Sequence, residues 1–488
     1  MGKKSQTKKP NSHNLTSKRP EVNKQLNDLV DKLLRVTVQP PLANIQKELE
    51  ATKEILTLVE EIQRAEYTKD AQPDRTNPTV LSNFTNWLKA NGALFDGMTI
   101  ASFDGYDLGL KAELDIPEGS LLIGIPRKLM LTQECALKSS LAPLLEKDSI
   151  LKGMPNVVLA MALLVEKYSA ESFWKDYINV LPKEYTTVLY YTYEELKELI
   201  GSPTLKQALN QIKSICRQYA YFFKVIYTSD DEVCQLLRGK FTYQQYRWAV
   251  STVMTRQNTI PSEDKSSMIS ALIPLWDFCN HTSGNISTEY NPVLDRSECL
   301  AVRNFKLGEQ LFIFYGARTN ADLFIHNGFV YEQNEHDGYA LNLGISQSDT
   351  LKEKRSQLLE KLLINPNSTF YLDASPQPVM GKLLAFLRVF NMNDEQLQHW
   401  LESDKCVDLE CLDCALDTCV EKKTWSFLQV RIKLLLAAYK STFADDVKLL
   451  ANNEVELNER RRLAIRMRIS EKKILSHVLD YVEQYIKQ

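Results

Sequence analysis

The feature that most constrains this chain is a split in its β character. Short β-like runs set off by Gly and Pro fill 96–127: Met98-Thr99-Ile100, Gly109-Leu110-Lys111-Ala112, and Leu121-Leu122-Ile123-Gly124-Ile125 before Pro126. Strand character returns in Cys299-Leu300-Ala301-Val302 and in Gln310-Leu311-Phe312-Ile313-Phe314-Tyr315, the second ending at Gly316. Between the two regions, from about 131 to 253, apolar residues recur at helical spacing, most strongly over Val157–Glu166 and Leu205–Tyr227. The pattern predicts an α+β fold in which a small sheet is interrupted by a helical insertion. Most aromatics of that insertion, among them Phe173, Trp174, Tyr177, Tyr219, Tyr221, Phe222 and Phe223, read as core.

The flanks read differently. Residues 1–20 carry Lys3, Lys4, Lys8, Lys9, Lys18 and Arg19 among Ser, Asn and Pro, a basic tail with nothing to bury and therefore expected to be disordered. N-terminal helices are expected over 21–75: Leu26, Leu29 and Leu33, then Ile45, Leu49, Leu56, Val59 and Ile62, are helically spaced on either side of Pro40-Pro41. The mixed domain spans 76–340. An all-helical second domain follows over 341–488, with helices near 351–363, 380–390, 424–441 and 458–486.

The 59 basic and 62 acidic residues leave a net charge of −3, so no global field draws the chain to nucleic acid or to an anionic membrane. No run of about 18 apolar residues suggests a membrane span, and the N-terminus lacks a secretory pattern; Gln6 stands where a myristoylation motif wants Ser or Thr. A cytoplasmic protein is expected, with a nuclear fraction allowed by the basic tail. Nine cysteines fit a reducing compartment. Cys406, Cys411, Cys414 and Cys419 contain one C-x-x-C and read as small hydrophobes of a partly buried helix, with zinc as the alternative. His13, His326, His336, His399 and His477 show no metal-ligand spacing, and the Arg460-Arg461-Arg462 and Lys472-Lys473 clusters read as a solvated helix face.

One segment carries chemistry. Ile273-Pro274-Leu275-Trp276-Asp277-Phe278-Cys279-Asn280-His281 is followed some thirty residues later by Gly308-Glu309-Gln310 and a strand delivering Tyr315 beside Gly316. Asn280 offers an amide to a ligand, His281 can fix a turn through its ring nitrogens, and Tyr315 can project a hydroxyl into a cleft. Alone, each is an ordinary turn or core residue. Together, in this order, they resemble the SET family, in the branch that contains the plant Rubisco lysine methyltransferase. Within that branch, Phe241-Thr242-Tyr243, Tyr246–Ser251, Val253–Asn258 and Leu383–Phe390 are similar to the members that methylate a histidine of actin, over about 75 to 470.

The resemblance implies a SET fold with a helical insertion, a helical substrate-binding domain behind it, and S-adenosylmethionine as methyl donor with no metal. It implies a donor pocket made by Arg75, Tyr106-Asp107-Leu108, Arg256, the run Asp277-Phe278-Cys279-Asn280-His281, and Asn327. Two positions depart from the pattern: the Gly-x-Gly of the first strand turn reads Asp107-Leu108-Gly109, and Asn327 stands where the histidine-directed members carry serine. A sulfonium loses its positive charge on transfer, so carbonyls, amides and aromatic faces suit its surroundings better than cations do.

The acceptor turns on one residue. A lysine amine must lose a proton before it attacks, whereas an imidazole near its reference pKa is mostly neutral in the cell and needs orientation more than deprotonation. The resemblance puts Asn258 in the acceptor pocket, with Trp276 as a flat wall and Tyr315 orienting the ring or the departing methyl. The expected activity is protein-histidine N-tele-methyl transfer to actin by a monomer. A lysine methyltransferase and a non-catalytic SET scaffold are the rival readings.

Overall fold

The computed structural model describes residues 23–66, 72–414, 416–452 and 456–487. The basic tail at 1–20 lies outside the described residues.

Two capped helices open the described chain. Asn23 caps Lys24–Thr37 by accepting from the Gln25 amide, and Asn44 caps Ile45–Ala65 by accepting from the Gln46 and Lys47 amides. Their apolar stripes, Leu26, Val30 and Leu33 on the first and Leu49, Ile55, Leu58, Val59 and Ile62 on the second, are buried against each other and against the long insertion helix Thr204–Thr228. A third helix, Pro78–Ala90, was not foreseen from periodicity. Its thirteen residues bury only Phe84 and Leu88, too few points to make a visible stripe, although Asn77 at the cap and Pro78 at the first turn mark its start.

The first ten strands form three small sheets. Strands β1 (Met98–Phe103), β2 (Asp107–Ala112), β3 (Leu121–Pro126) and β4 (Leu131–Thr132) precede the insertion. After it come β5 (Gln257–Pro261), β6 (Met268–Leu272), β7 (Asn280–His281), β8 (Thr288–Asn291), β9 (Arg296–Leu300) and β10 (Gln310–Ile313). Their orders are β1-β2-β10-β7, β3-β9-β8 and β4-β6-β5, so each of these three joins strands from both sides of the insertion. The split read in the sequence is thus a long-range closure. β10 ends two residues before Tyr315, and β9 begins three residues before the run expected at 299–302.

The last insertion helix, Tyr243–Arg256, runs directly into β5. Arg256, Gln257 and Asn258 therefore stand at a helix-to-strand junction. β7 lies parallel to β10, with Asn280 opposite Phe312 and His281 opposite Ile313. This pairing brings the Trp276–His281 run beside Tyr315.

The second region is helical, with Lys352–Lys361, Gly381–Asn391, Asp394–Glu402, Thr418–Ala437, Phe443–Ala451 and Glu459–Lys487. It is not all-helical: β11 (Tyr339–Gly344) and β12 (Asn367–Leu372) pair antiparallel over their full length. Alternation in Tyr339, Leu341 and Leu343, all buried, is the strand signal that the helical background hid. Two separate apolar cores result, and the helix Glu459–Lys487 contributes to both: Leu463, Ala464 and Met467 to the first, Ile474, Leu475, Val478 and Val482 to the second.

Two further expectations are corrected. The cysteine cluster does not form a helix: Cys406 is buried in a short 3-10 turn, while Cys411, Cys414 and Cys419 lie on the irregular segment and helix start that follow, Cys411 and Cys419 exposed. Nor is the basic C-terminal helix a solvated face. Arg460 pairs with Glu195 at 3.1 Å, Arg461 with Glu198 at 2.7 Å, and the buried Arg468 and Lys472 pair with Asp446 at 2.6 and 2.7 Å.

Candidate active site

A cavity of about 1550 Å³ opens where the β1-β2-β10-β7 sheet, the β5 junction and the helix Glu459–Lys487 meet. That exceeds the few hundred to about 1,000 Å³ usual for a site holding one small molecule, so it has room for two reactants. Of the fourteen residues singled out from the sequence, Arg75, Tyr106, Asp107, Leu108, Arg256, Asn258, Trp276, Asp277, Cys279, Asn280, His281, Tyr315 and Asn327 line it. Phe278 does not. Its ring is buried 5.8 Å from Phe84, under the Arg75 guanidinium at 5.6 Å, and it supports the wall from behind.

The geometry explains the departure from Gly-x-Gly. Asp107 has φ +60°, a left-handed conformation that glycine adopts freely and that Asp tolerates better than most residues. Gly109 is required for another reason. A Cβ there would press on the Gln310 amide and lie 3.0 Å from Asn280 Nδ2, which donates to the Leu108 carbonyl at 3.3 Å. Leu275, at φ +68°, is a second non-glycine residue in the left-handed region and turns the chain into the Trp276–Phe278 turn.

Charges inside the wall are organised around Asp277. Its carboxylate accepts from Tyr177 at 2.7 Å and pairs with Arg256 at 3.1 Å, while Arg256 also donates to the Asp277 carbonyl at 2.6 Å. Burial works against the Arg256 charge, but Asp277 and the surrounding tyrosines hold its pKa above the ordinary value. Arg75 sits 3.4 Å from Asp107; burial and the nearby Arg256 pull it down to about 10, so it stays charged at neutral pH.

His281 and Tyr315 lock to each other. The Tyr315 amide donates to His281 Nδ1 at 3.2 Å, and the Tyr315 hydroxyl donates to the Cys279 carbonyl at 2.7 Å. Burial, with Arg318 and His336 nearby, brings the His281 imidazole down to about 4 and keeps it the neutral acceptor this bond requires. The Tyr315 hydroxyl is pushed up by burial, against the lowering charge of Arg256, so it remains a neutral donor rather than a base. Sequence reading did not single out Tyr331 and Phe329, whose rings lie 4.8 and 5.9 Å from that of His281, or Arg318, which donates to the Asn327 side chain at 3.1 Å. The aromatic pair spaced two apart was the available signal.

A methyl donor with a carboxylate, an ammonium and a sulfonium fits this wall. Arg75 Nε, Arg256 Nε, Gln257 Oε1, Trp276 Nε1 and Asp277 Oδ1 are buried without hydrogen-bond partners among the described residues, a set of unmet polar groups on residues that line one cavity. Asn258 donates weakly to the Arg256 carbonyl at 3.2 Å, and no hydrogen bond engages its Oδ1 among the described residues. Those residues contain no group of three or more His, Cys, Asp or Glu side chains placed to hold a metal.

Comparisons with known proteins agree on the fold. Family models match in tandem: the SET domain at 107–316 and the Rubisco LSMT substrate-binding domain at 346–475. The actin-histidine N-methyltransferase of Homo sapiens is 41% identical over 480 residues, covering 97% of this chain and 80% of that one. The Gallus gallus protein of the same name is 40% identical over 497 residues, covering 100% and 83%. A crystal structure of the SET domain of LSMT bound to lysine and AdoHcy superposes with a TM-score of 0.71 at 23% identity, covering 84% of this chain and 92% of that one. With both domains in order and two-fifths identity over essentially its whole length, this chain belongs to the SET-domain family, in the group of its actin-histidine N-methyltransferase relatives.

Proposed function

We propose that this chain transfers the methyl group of S-adenosylmethionine to the distal (tele) nitrogen of a histidine in actin, as a cytoplasmic monomer that uses neither metal nor nucleic acid. Whole-length identity to relatives of that name carries the reading. Nine free cysteines accord with a reducing compartment.

The donor supplies an electrophilic methyl that needs no base to activate it. Arg75 and Arg256 suit its carboxylate, and the amide of Asn280 and the backbone of Asp107–Leu108 suit its polar groups. On the acceptor side, Trp276 offers a buried flat wall and Asn258 a side-chain amide within the same cavity. The Asn258 carbonyl oxygen accepts the proton on the near ring nitrogen, fixing the tautomer in which the distal nitrogen's lone pair is free. Tyr315, a fixed neutral hydroxyl anchored on Cys279, shapes the passage between the two halves. Positioning of this kind accounts for large rate effects without acid–base chemistry. After transfer the imidazolium gives up its remaining N–H proton to water.

The test is transfer of isotopically labelled methyl from the donor to monomeric actin, followed by hydrolysis and identification of the labelled amino acid. Label in tele-methylhistidine is expected. Label in methyllysine overturns the acceptor, and donor binding with no transfer overturns the enzyme. Asn258→Phe removes the amide, so kcat/KM for the histidine should fall at least tenfold, equivalent to about 1.4 kcal/mol, with the donor Kd little changed. An equal loss in both takes Asn258 out of the acceptor pocket.

A further inference from the structure

Far from the cavity, the helical region carries a pair of thiols that the methyl-transfer reading does not use. Cys411 and Cys414 lie on the irregular segment between the 3-10 turn Cys406–Glu410 and the helix Thr418–Ala437, Cys411 exposed and Cys414 half-buried. The Cys414 thiol and the backbone amides of Asp413 and Cys414 face the Cys411 sulfur and favour its thiolate. Three donors thus converge on one exposed sulfur.

The segment is held by an unusual device. Arg388, 1% exposed, projects from the helix Gly381–Asn391 and donates to the carbonyls of Leu409 at 2.9 Å, Cys411 at 2.8 Å and Cys414 at 3.5 Å, while pairing with Glu421 at 2.7 Å. Both cysteines are therefore tied by their backbones to the same buried guanidinium. Burying an arginine is costly unless its hydrogen bonds are met; here its two terminal nitrogens engage these carbonyls and Glu421, its Nε has no partner among the described residues, and the backbone on both sides of the thiol pair is held in place. The remaining cysteines lack this arrangement. Cys216, Cys234, Cys279, Cys299 and Cys406 are buried, Cys135 is half-buried beside the Thr132 hydroxyl at 3.2 Å, and Cys419 is exposed in the first turn of the helix Thr418–Ala437.

We propose that Cys411 and Cys414 form a reversible redox site that closes to an intramolecular disulfide by exchange with a low-molecular-weight disulfide of the glutathione type. The Cys411 thiolate attacks one sulfur of the small disulfide, forming a mixed disulfide and releasing one small thiolate, which takes up a proton. Cys414 loses its proton to solvent and attacks the Cys411 sulfur, closing the protein disulfide and releasing the second small thiolate. Two protein thiols are oxidised and one small disulfide is reduced to two thiols. The donors facing its sulfur favour Cys411 as the first attacker, because the thiolate is the nucleophile and donors stabilise it; its pKa lies below the ordinary thiol value for that reason, the Cys414 thiol contributing most. The ring closed by C-x-x-C is short, so it removes little chain entropy from the unfolded state, and the bond is poised to reopen rather than to act as a permanent staple.

The experiment equilibrates the full-length protein in graded mixtures of reduced and oxidised glutathione, traps free thiols by alkylation and maps each cysteine by peptide mass. Cys411 and Cys414 should lose alkylation together and appear as one peptide carrying an internal disulfide, at a more reducing ratio than any that modifies Cys419. In Cys414→Ser, Cys411 should stop at the mixed disulfide with glutathione, while methyl transfer by the reduced variant stays at the unmodified level. Independent alkylation of the two thiols at every ratio overturns the proposal. So does stoichiometric zinc that survives dialysis and shields both thiols from the alkylating agent.

Discussion

At the scale of single residues, the wall of the cavity proposed to hold the methyl donor depends on the absence of a side chain at one point. Gly109 lets Asn280 approach the β2 backbone, and its replacement by Ala forces the Asn280 and Gln310 amides aside, both of them ends of side chains that can rotate away. Gly109→Ala should therefore weaken donor binding about tenfold, near 1.4 kcal/mol, with a much smaller fall in Tm; calorimetric titration beside a thermal melt separates the two. A melt lowered as much as binding would mean that the glycine serves the fold instead. Asn280, His281 and Tyr315 were legible in the sequence because their spacing is short and their chemistry unusual. Tyr177 was read only as core. Its hydroxyl reaches Asp277 across a hundred positions of sequence, and no local pattern reports such a contact.

Secondary-structure elements were legible in proportion to how many apolar residues each buries. The helix Pro155–Tyr168 buries every residue from Val157 to Val165 and Thr204–Thr228 shows a long apolar stripe, whereas Pro78–Ala90 buries two residues and β7 contains only two. Pairing of β7 with β10 rests on tertiary closure rather than propensity. The segment from Cys406 to Cys419 was misread as a helix because Leu409, Leu412 and Leu416 mimic its period, while the carbonyls there go to Arg388 instead of to helical amides. Arg388→Ala strands those carbonyls and Glu421 together, so urea unfolding should show a loss of about 3–5 kcal/mol. A loss below 1 kcal/mol would mean that water replaces the guanidinium without penalty.

Taken as a whole, the molecule consists of two cores joined through the helix Glu459–Lys487. On that helix Glu471 is fully enclosed, accepting from Ser202 and Thr204 of the insertion at 2.7 and 2.8 Å and from Tyr439 at 2.8 Å. Burial raises its pKa from 4.5 to about 7, outweighing those donors, and Glu66 in the first core is raised likewise to about 7. Between pH 4.5 and 7 the folded state holds these protons and the unfolded state does not, so both carboxyls make stability fall as pH rises across that window and level off above it. His281 acts in the opposite sense, adding stability as pH rises from about 4 to 6.5. Glu471→Gln should flatten the decline above pH 5 and raise stability at pH 8 by a few kcal/mol, measured as urea midpoints across pH. An unchanged profile would show that Glu471 is ionised in place.

The shared helix also sets an order of events during synthesis. Domains generally fold as the chain emerges, earlier segments first. Here the first core is not sealed until Leu463, Ala464 and Met467 arrive, more than a hundred residues after Ile325, the last earlier residue it contains. Nascent chains paused between those points expose an unfinished apolar surface around the cavity, so slow translation through 330–460 puts the whole protein, and not only its second half, at risk of aggregation.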